Sequence, residues 1–164
     1  MYIRLAKIIL MGGFAIQLSI IAVDNMLNNH INLQSVQHIL SMDTVFKDNM
    51  LTWRAITSPF IQDAIYGAII TAQFSAAIFA FIGTVGLALT IHDVKEFHAT
   101  KKFSVISVII ALLVWFVGFG VIGTEWFNSW QSPTWTAEPH GFRKTVFCLL
   151  LLLILMHKDV ETDP

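Results

Sequence analysis

The stretch Ile122 to Trp135, IGTEWFNSWQSPTW, sets a single carboxylate, Glu125, among Trp126, Trp130 and Trp135. An ionised carboxylate against an aromatic, apolar surface is costly unless a cation or hydrogen-bond donors meet it. Arg54 of WRAI and Lys47 are the nearest cations in kind, so a Glu125–Arg54 pair across two polar segments is the sharpest chemistry this region offers. The other reactive residue types assemble into no catalytic set. His30 and His38 are eight positions apart, which on a helix turns them about 80° from each other. With Asp43, Glu125 and His140 they form no His-x-x-x-His pair, so no metal site is expected. There is no Gly-x-Ser-x-Gly elbow and no Cys–His pair in a nucleophilic setting. The lone Cys148, inside an apolar run, reads as a small buried hydrophobe and cannot form an intrachain disulfide.

The elements that position these residues follow from composition. With 164 residues, 55% hydrophobic, 13% charged and a mean hydropathy of +0.68, the chain is too apolar for a water-soluble domain. A formal net charge of -1 leaves no basic excess to neutralise a phosphate backbone, so nucleic acid is not a partner; the lipid bilayer is. A spanning helix needs about 20 mostly apolar residues. Four stretches meet that need, at about 5–24, 63–91, 103–124 and 141–157. The expected fold is an all-α membrane protein, one transmembrane domain over 1–164 built as a four-helix bundle. The polar segment between spans one and two, about 25–62, carries Val36, Ile39, Leu40, Phe46 and Trp53 at loosely helical spacing, which predicts one or two short helices forming an outer cap.

Lys and Arg favour the cytoplasmic side. Arg4, Lys7, Lys95, Lys101, Lys102 and Lys158 fall on one side, against Lys47, Arg54, Arg143 and Lys144 on the other, which predicts cytoplasmic termini and an outward-facing cap. The first span is read as retained, because its exit AVDNMLNN has no small-x-small cleavage pattern. The stretch HDVKEFHATKK reads as a short basic inner loop.

Inside the bundle, Ala68, Ala72, Ala76 and Ala80 recur every fourth residue, with Gly83 and Gly86 beyond, a small-residue stripe suited to close helix approach in lipid. Two amides, Gln17 and Gln73, sit within the first and second spans and are expected to hydrogen-bond to each other as an interhelical polar pair. No histidine lies at depth to ligate haem and no charge lies mid-span to carry protons, so no cofactor is expected and pumping is disfavoured. Trp115, Phe119, Trp126 and Trp130 fall near one helical face if the third span runs on to Gln131, an ordinary aromatic belt at the membrane boundary.

The combination of HILSMDT (His38 to Thr44), WRAI (Trp53 to Ile56) and the GTEWF and SWQS signatures between Gly123 and Ser132 resembles a bacterial family of predicted small integral membrane proteins, filed as a domain of unknown function. The resemblance covers most of the chain. It implies a four-span protein of the bacterial inner membrane and brings no activity, cofactor or partner. It points to the outer face, where Met42, Asp43, Thr44, Trp53, Arg54, Glu125, Trp126, Phe127, Trp130 and Gln131 match the family's motifs. Two functions are expected from these readings. The first is a non-enzymatic accessory or assembly subunit that binds another membrane or envelope protein through Asp43, Trp53, Arg54, Glu125, Trp126, Trp130 and Gln131. The alternative is a lipid- or quinone-like small-molecule site beneath the cap, with a redox or transport role.

Overall fold

Two prolines stand where two of the long helices begin, because a first-turn residue has no intrahelical use for its N–H and the ring presets φ. The computed structural model, which describes residues 1–159, places Pro59 at the start of α3 (Pro59–Leu89) and Pro139 in the first turn of α5 (Glu138–Met156). Before them come α1 (Tyr2–Leu27) and α2 (Asn29–Ser41), separated by Asn28 alone. Between α3 and α5 lies α4 (Val94–Leu112), continued without a break by a π-helix over Leu113–Trp126. Short 3-10 turns occupy Thr52–Arg54 and Ser129–Gln131. No strand occurs among the described residues. Among the described residues four helices are long and apolar enough to cross a membrane, Tyr2–Leu27, Pro59–Leu89, Val94–Trp126 and Glu138–Met156, so the chain is an all-α membrane protein.

The third of these starts earlier than its hydropathy suggests. Most of HDVKEFHATKK is helix, because Asp93 caps it, accepting from the backbone N–H of Lys95 at 2.8 Å and of Glu96 at 3.0 Å. Its far end departs from the sequence reading as well. The backbone bonds become i to i−5, as where Phe127 N donates to Ile122 O at 3.0 Å, and the Thr124 side chain adds a bond from Oγ1 to Phe119 O at 2.9 Å. The helix then stops, and Asn128 takes a left-handed φ of 52°. Trp115, Phe119, Trp126 and Trp130 therefore do not share one face. Trp115 is buried, while Trp126 and Trp130 are exposed beside the cap.

Each span buries one stripe and leaves the rest to lipid. Met11, Phe14 and Leu18 of α1, Ala76, Ala80 and Leu87 of α3, Phe97 and Val108 of α4, and Cys148, Leu151 and Leu155 of α5 form one core. The alanine stripe is only partly used: Ala76 and Ala80 are buried against neighbours, Ala72 is half-buried, and Ala68 is exposed. Ser107 Oγ donates to Ala76 O at 2.7 Å, a bond across α3 and α4 that only close approach permits. A second, smaller core of Leu40, Met42 and Phe127, backed by Ile56 and Ile65, seats the cap on the bundle.

Candidate functional site

The cap is held to the end of the third span by side chains that both segments contribute. Thr44 Oγ1 donates to Ser132 Oγ at 2.8 Å, and Asn49 Nδ2 donates to Gln131 Oε1 at 2.9 Å. The backbone N–H of Phe46 also donates to Gln131 Oε1, at 3.2 Å. His38 bonds Asp43 at 2.7 Å and stacks on Trp135, ring centroids 4.6 Å apart. Asp43, Trp53, Arg54, Trp126, Trp130 and Gln131 thus come together at one end of the molecule, with Phe46 edge-on to Trp130.

Glu125 is the exception, since it is exposed and makes no ion pair among the described residues. Arg54 turns to its neighbour, donating from Nη1 to Trp126 O at 3.2 Å, with its guanidinium carbon 4.3 Å from the Trp126 ring centroid and 5.5 Å from that of Trp53. The physical reason is plain: a surface carboxylate stays hydrated at little cost, whereas a flat, weakly hydrated guanidinium gains from stacking on indole. Arg54→Met should therefore loosen the cap by about 1 kcal/mol, read as faster protease cleavage between α2 and α3. Glu125→Gln should leave the cleavage rate unchanged, and equal effects from the two would refute this division.

Beneath the cap lies a cavity of about 330 Å³, walled by the ends of α1 and α2, the middle of α3, the π-helix and the first turns of α5. An amide chain runs along it. Asn32 Nδ2 donates to Asn25 Oδ1 at 2.8 Å, and Asn25 Nδ2 donates to Gln73 Oε1 at 2.6 Å. Tyr66 Oη donates to the backbone oxygen of Asn25 at 2.7 Å, fixing that end of α1. Gln73 thus bonds Asn25 and not Gln17. α3 extends well past the last turn of α1, which puts Asn25 rather than the middle of α1 beside Gln73. Gln17 is exposed and faces a separate cavity of about 340 Å³ with Trp115, Arg143, Lys144 and Phe147. Lys144 and Trp115 wall both spaces, the ammonium 4.8 Å from the Trp115 ring centroid.

A further lobe of about 130 Å³ is almost wholly apolar. It shares Val36, Ile39, Ile69, Phe119 and Ala137 with the polar cavity, so a polar and an apolar space lie wall to wall. Gly118 and Gly123 line the apolar lobe. Gly141 brings α5 so close that a Cβ there would lie 3.0 Å from Phe119 Cβ.

Sequence reasoning did not single out the opposite end of the bundle. Lys7 Nζ donates to Asp159 Oδ1 at 2.8 Å and to His157 O at 2.6 Å, and Lys101 pairs with the other carboxylate oxygen of Asp159. All three side chains are essentially buried. Burial by itself would push the Asp159 carboxyl up, but hydrogen bonds from Lys101 and Lys7 outweigh it and hold the group below its ordinary range. The available signal was a lysine near the start of the first span, another at the head of the third and an acid just past the last, which a four-span topology brings to one end.

No curated protein and no solved structure matches the chain. A family model described as predicted small integral membrane protein (DUF2165) matches residues 3–158. Four spanning helices with a folded cap, matched over nearly the whole length, place this chain in that family of small integral membrane proteins.

Proposed function

We propose that this is a multi-pass protein of the bacterial inner membrane, termini on the cytoplasmic side, that binds a small lipid- or quinone-like amphiphile beneath its outward-facing cap. The observation that carries the reading is the adjacency of a polar cavity of about 330 Å³ and an apolar lobe of about 130 Å³ sharing five wall residues. Ligand sites are concave, mostly apolar and furnished with a few placed polar groups, and an amphiphile needs both kinds of wall at once. The role we assign is binding: the cavity walls carry amides, tryptophans, Lys144, several hydroxyls and His140, and among the described residues no hydrogen bond joins His140 to a hydroxyl that it could activate.

The test is recovery of a small molecule with the protein. Denaturing extraction of protein purified from native membranes in mild detergent, followed by mass spectrometry, should yield one amphiphile in fixed proportion to protein. Ile69→Phe, which adds bulk to both lobes, should lower that proportion about tenfold, the effect of roughly 1.4 kcal/mol of lost binding. Protein free of any small molecule above the detergent background would remove the reading.

A second reading, an accessory subunit docking to another membrane or envelope protein, is favoured by the apolar side chains that the cap leaves outside. Met50 is 89% exposed and Trp53 72% exposed, beside Phe46, Trp126 and Trp130. Tryptophan and methionine are enriched where proteins meet. Reproducible co-purification of a larger assembly, lost on Trp53→Ser, supports this role.

A further inference from the structure

The polar cavity holds donors without acceptors among the described residues. Gln73 is 3% exposed, and its carbonyl is taken by Asn25. Its NH₂ group has no acceptor among the described residues, and Gln73 lines the cavity. The amide chain from Asn32 through Asn25 has a direction, each NH₂ donating to the next carbonyl, so the chain ends at Gln73 with a donor. Lys144 supplies the second. It is half-buried, its ammonium rests on the Trp115 ring, and no carboxylate lies within ion-pair distance among the described residues. No Asp or Glu lines either space that Lys144 borders, and the adjacent Arg143 is likewise without a carboxylate partner among the described residues. A half-buried cation with no counter-charge among the described residues, lining the same cavity as an amide donor without an acceptor there, is an incomplete arrangement that an anion completes.

We propose that the head group held in this cavity is anionic, a phosphate or carboxylate, with Lys144 Nζ and Gln73 Nε2 as its donors and the amphiphile's chain in the adjoining apolar lobe. The inference rests on the reading that the cavity binds an amphiphile, and it names that ligand's chemical class. Asn25, Asn32 and Tyr66 are positioning residues: they fix which end of the Gln73 amide faces the cavity. A neutral head would leave the Lys144 charge unmet, and a cationic one would be repelled by it.

The test is binding to the full-length protein in a neutral maltoside detergent, with bound lipid counted by native mass spectrometry. The probes are dioleoylphosphatidylglycerol, oleate, dioleoylphosphatidylcholine and inorganic phosphate, each titrated separately. Both anionic amphiphiles should bind about tenfold more tightly than phosphatidylcholine, as expected when one hydrogen bond is charge-assisted. Lys144→Met should abolish that preference. Gln73→Leu, which keeps the charge and removes the donor, should weaken the anionic probes independently. Lys47→Met, an equal change of charge on the exposed cap, should do neither. Equal binding of phosphatidylcholine and phosphatidylglycerol by the unmodified protein overturns the anionic head and leaves the amphiphile reading standing. Retention of no amphiphile at all removes both. Inorganic phosphate binding as tightly as the lipids identifies a free-anion site and overturns the assignment to an amphiphile. A loss of preference in Lys47→Met as large as in Lys144→Met reduces the effect to surface charge and overturns the site.

Discussion

Asp159→Asn is expected to lower stability by about 3 kcal/mol, because removing one partner of a buried ionic cluster strands the charges that remain. Lys7 is fully buried, Lys101 nearly so, and Asp159 is the one carboxylate between them among the described residues. The variant leaves two ammonium groups facing each other, with the backbone oxygen of His157 as their shared acceptor. The effect stays at the lower end of the range because lysines at a helix end can stretch toward water. Thermal unfolding in detergent at pH 7 measures it, and an unchanged midpoint would show that the cluster contributes nothing. The dependence on pH has a definite sign. The carboxyl is held below its ordinary value in the folded protein, so its contribution is present above the unfolded pKa of about 4 and disappears as pH falls through the lower folded value. The gap between wild type and Asp159→Asn should be constant from pH 7 to pH 5 and close under stronger acid.

Gly83→Val should cost about 3 kcal/mol or more by forcing α3 and α4 apart. A Cβ at Gly83 would lie 2.4 Å from Ser104 Oγ and 2.8 Å from Ser104 N, and the second of these is backbone that cannot rotate away. Ser104 is fully buried, and its hydroxyl has no partner among the described residues. Ser104→Ala in the same chain should therefore recover only part of the loss. Gly13 and Gly67, where a Cβ would meet nothing within 4 Å, are the controls, and alanine at either should be tolerated. Unfolding midpoints of the four variants decide the matter. A Gly83→Val protein as stable as Gly67→Ala would mean that the two helices do not rely on their close approach. In lipid that approach has no hydrophobic drive behind it and depends on van der Waals contact and interhelical hydrogen bonds such as Ser107 to Ala76, which is why a side chain intruding there weighs so heavily.

The parts of the site that sequence reasoning reached and missed differ in kind. That Trp53, Arg54, Trp126, Trp130 and Gln131 belong to one surface was legible, because a four-span topology brings both polar segments to the same end. Which atoms meet was not. Glu125 and Arg54 looked complementary by charge, yet Arg54 meets the ring and carbonyl of Trp126, the residue next to Glu125. Gln17 and Gln73 looked complementary by amide chemistry, yet Gln73 meets Asn25, because α3 begins far beyond the end of α1. The π-helix over Leu113–Trp126 was invisible in the pattern GFGVIG, and it separates Trp115 on the cavity wall from Trp126 on the surface.

By itself the sequence determined that the chain enters a bilayer, how many times it is able to cross, and that a cap with polar and aromatic residues joins the first two crossings. Those properties are local: they depend on the length of apolar runs and on the cost of exposing peptide groups to lipid. Only the tertiary structure decided which polar groups pair. Partnership depends on the depth and rotation of one helix relative to another, and a shift of a turn or one i to i−5 hydrogen bond exchanges the partner without altering any local preference. The buried Lys7–Asp159–Lys101 cluster, the amide chain ending at Gln73, and Lys144 poised between two cavities all arise at that level.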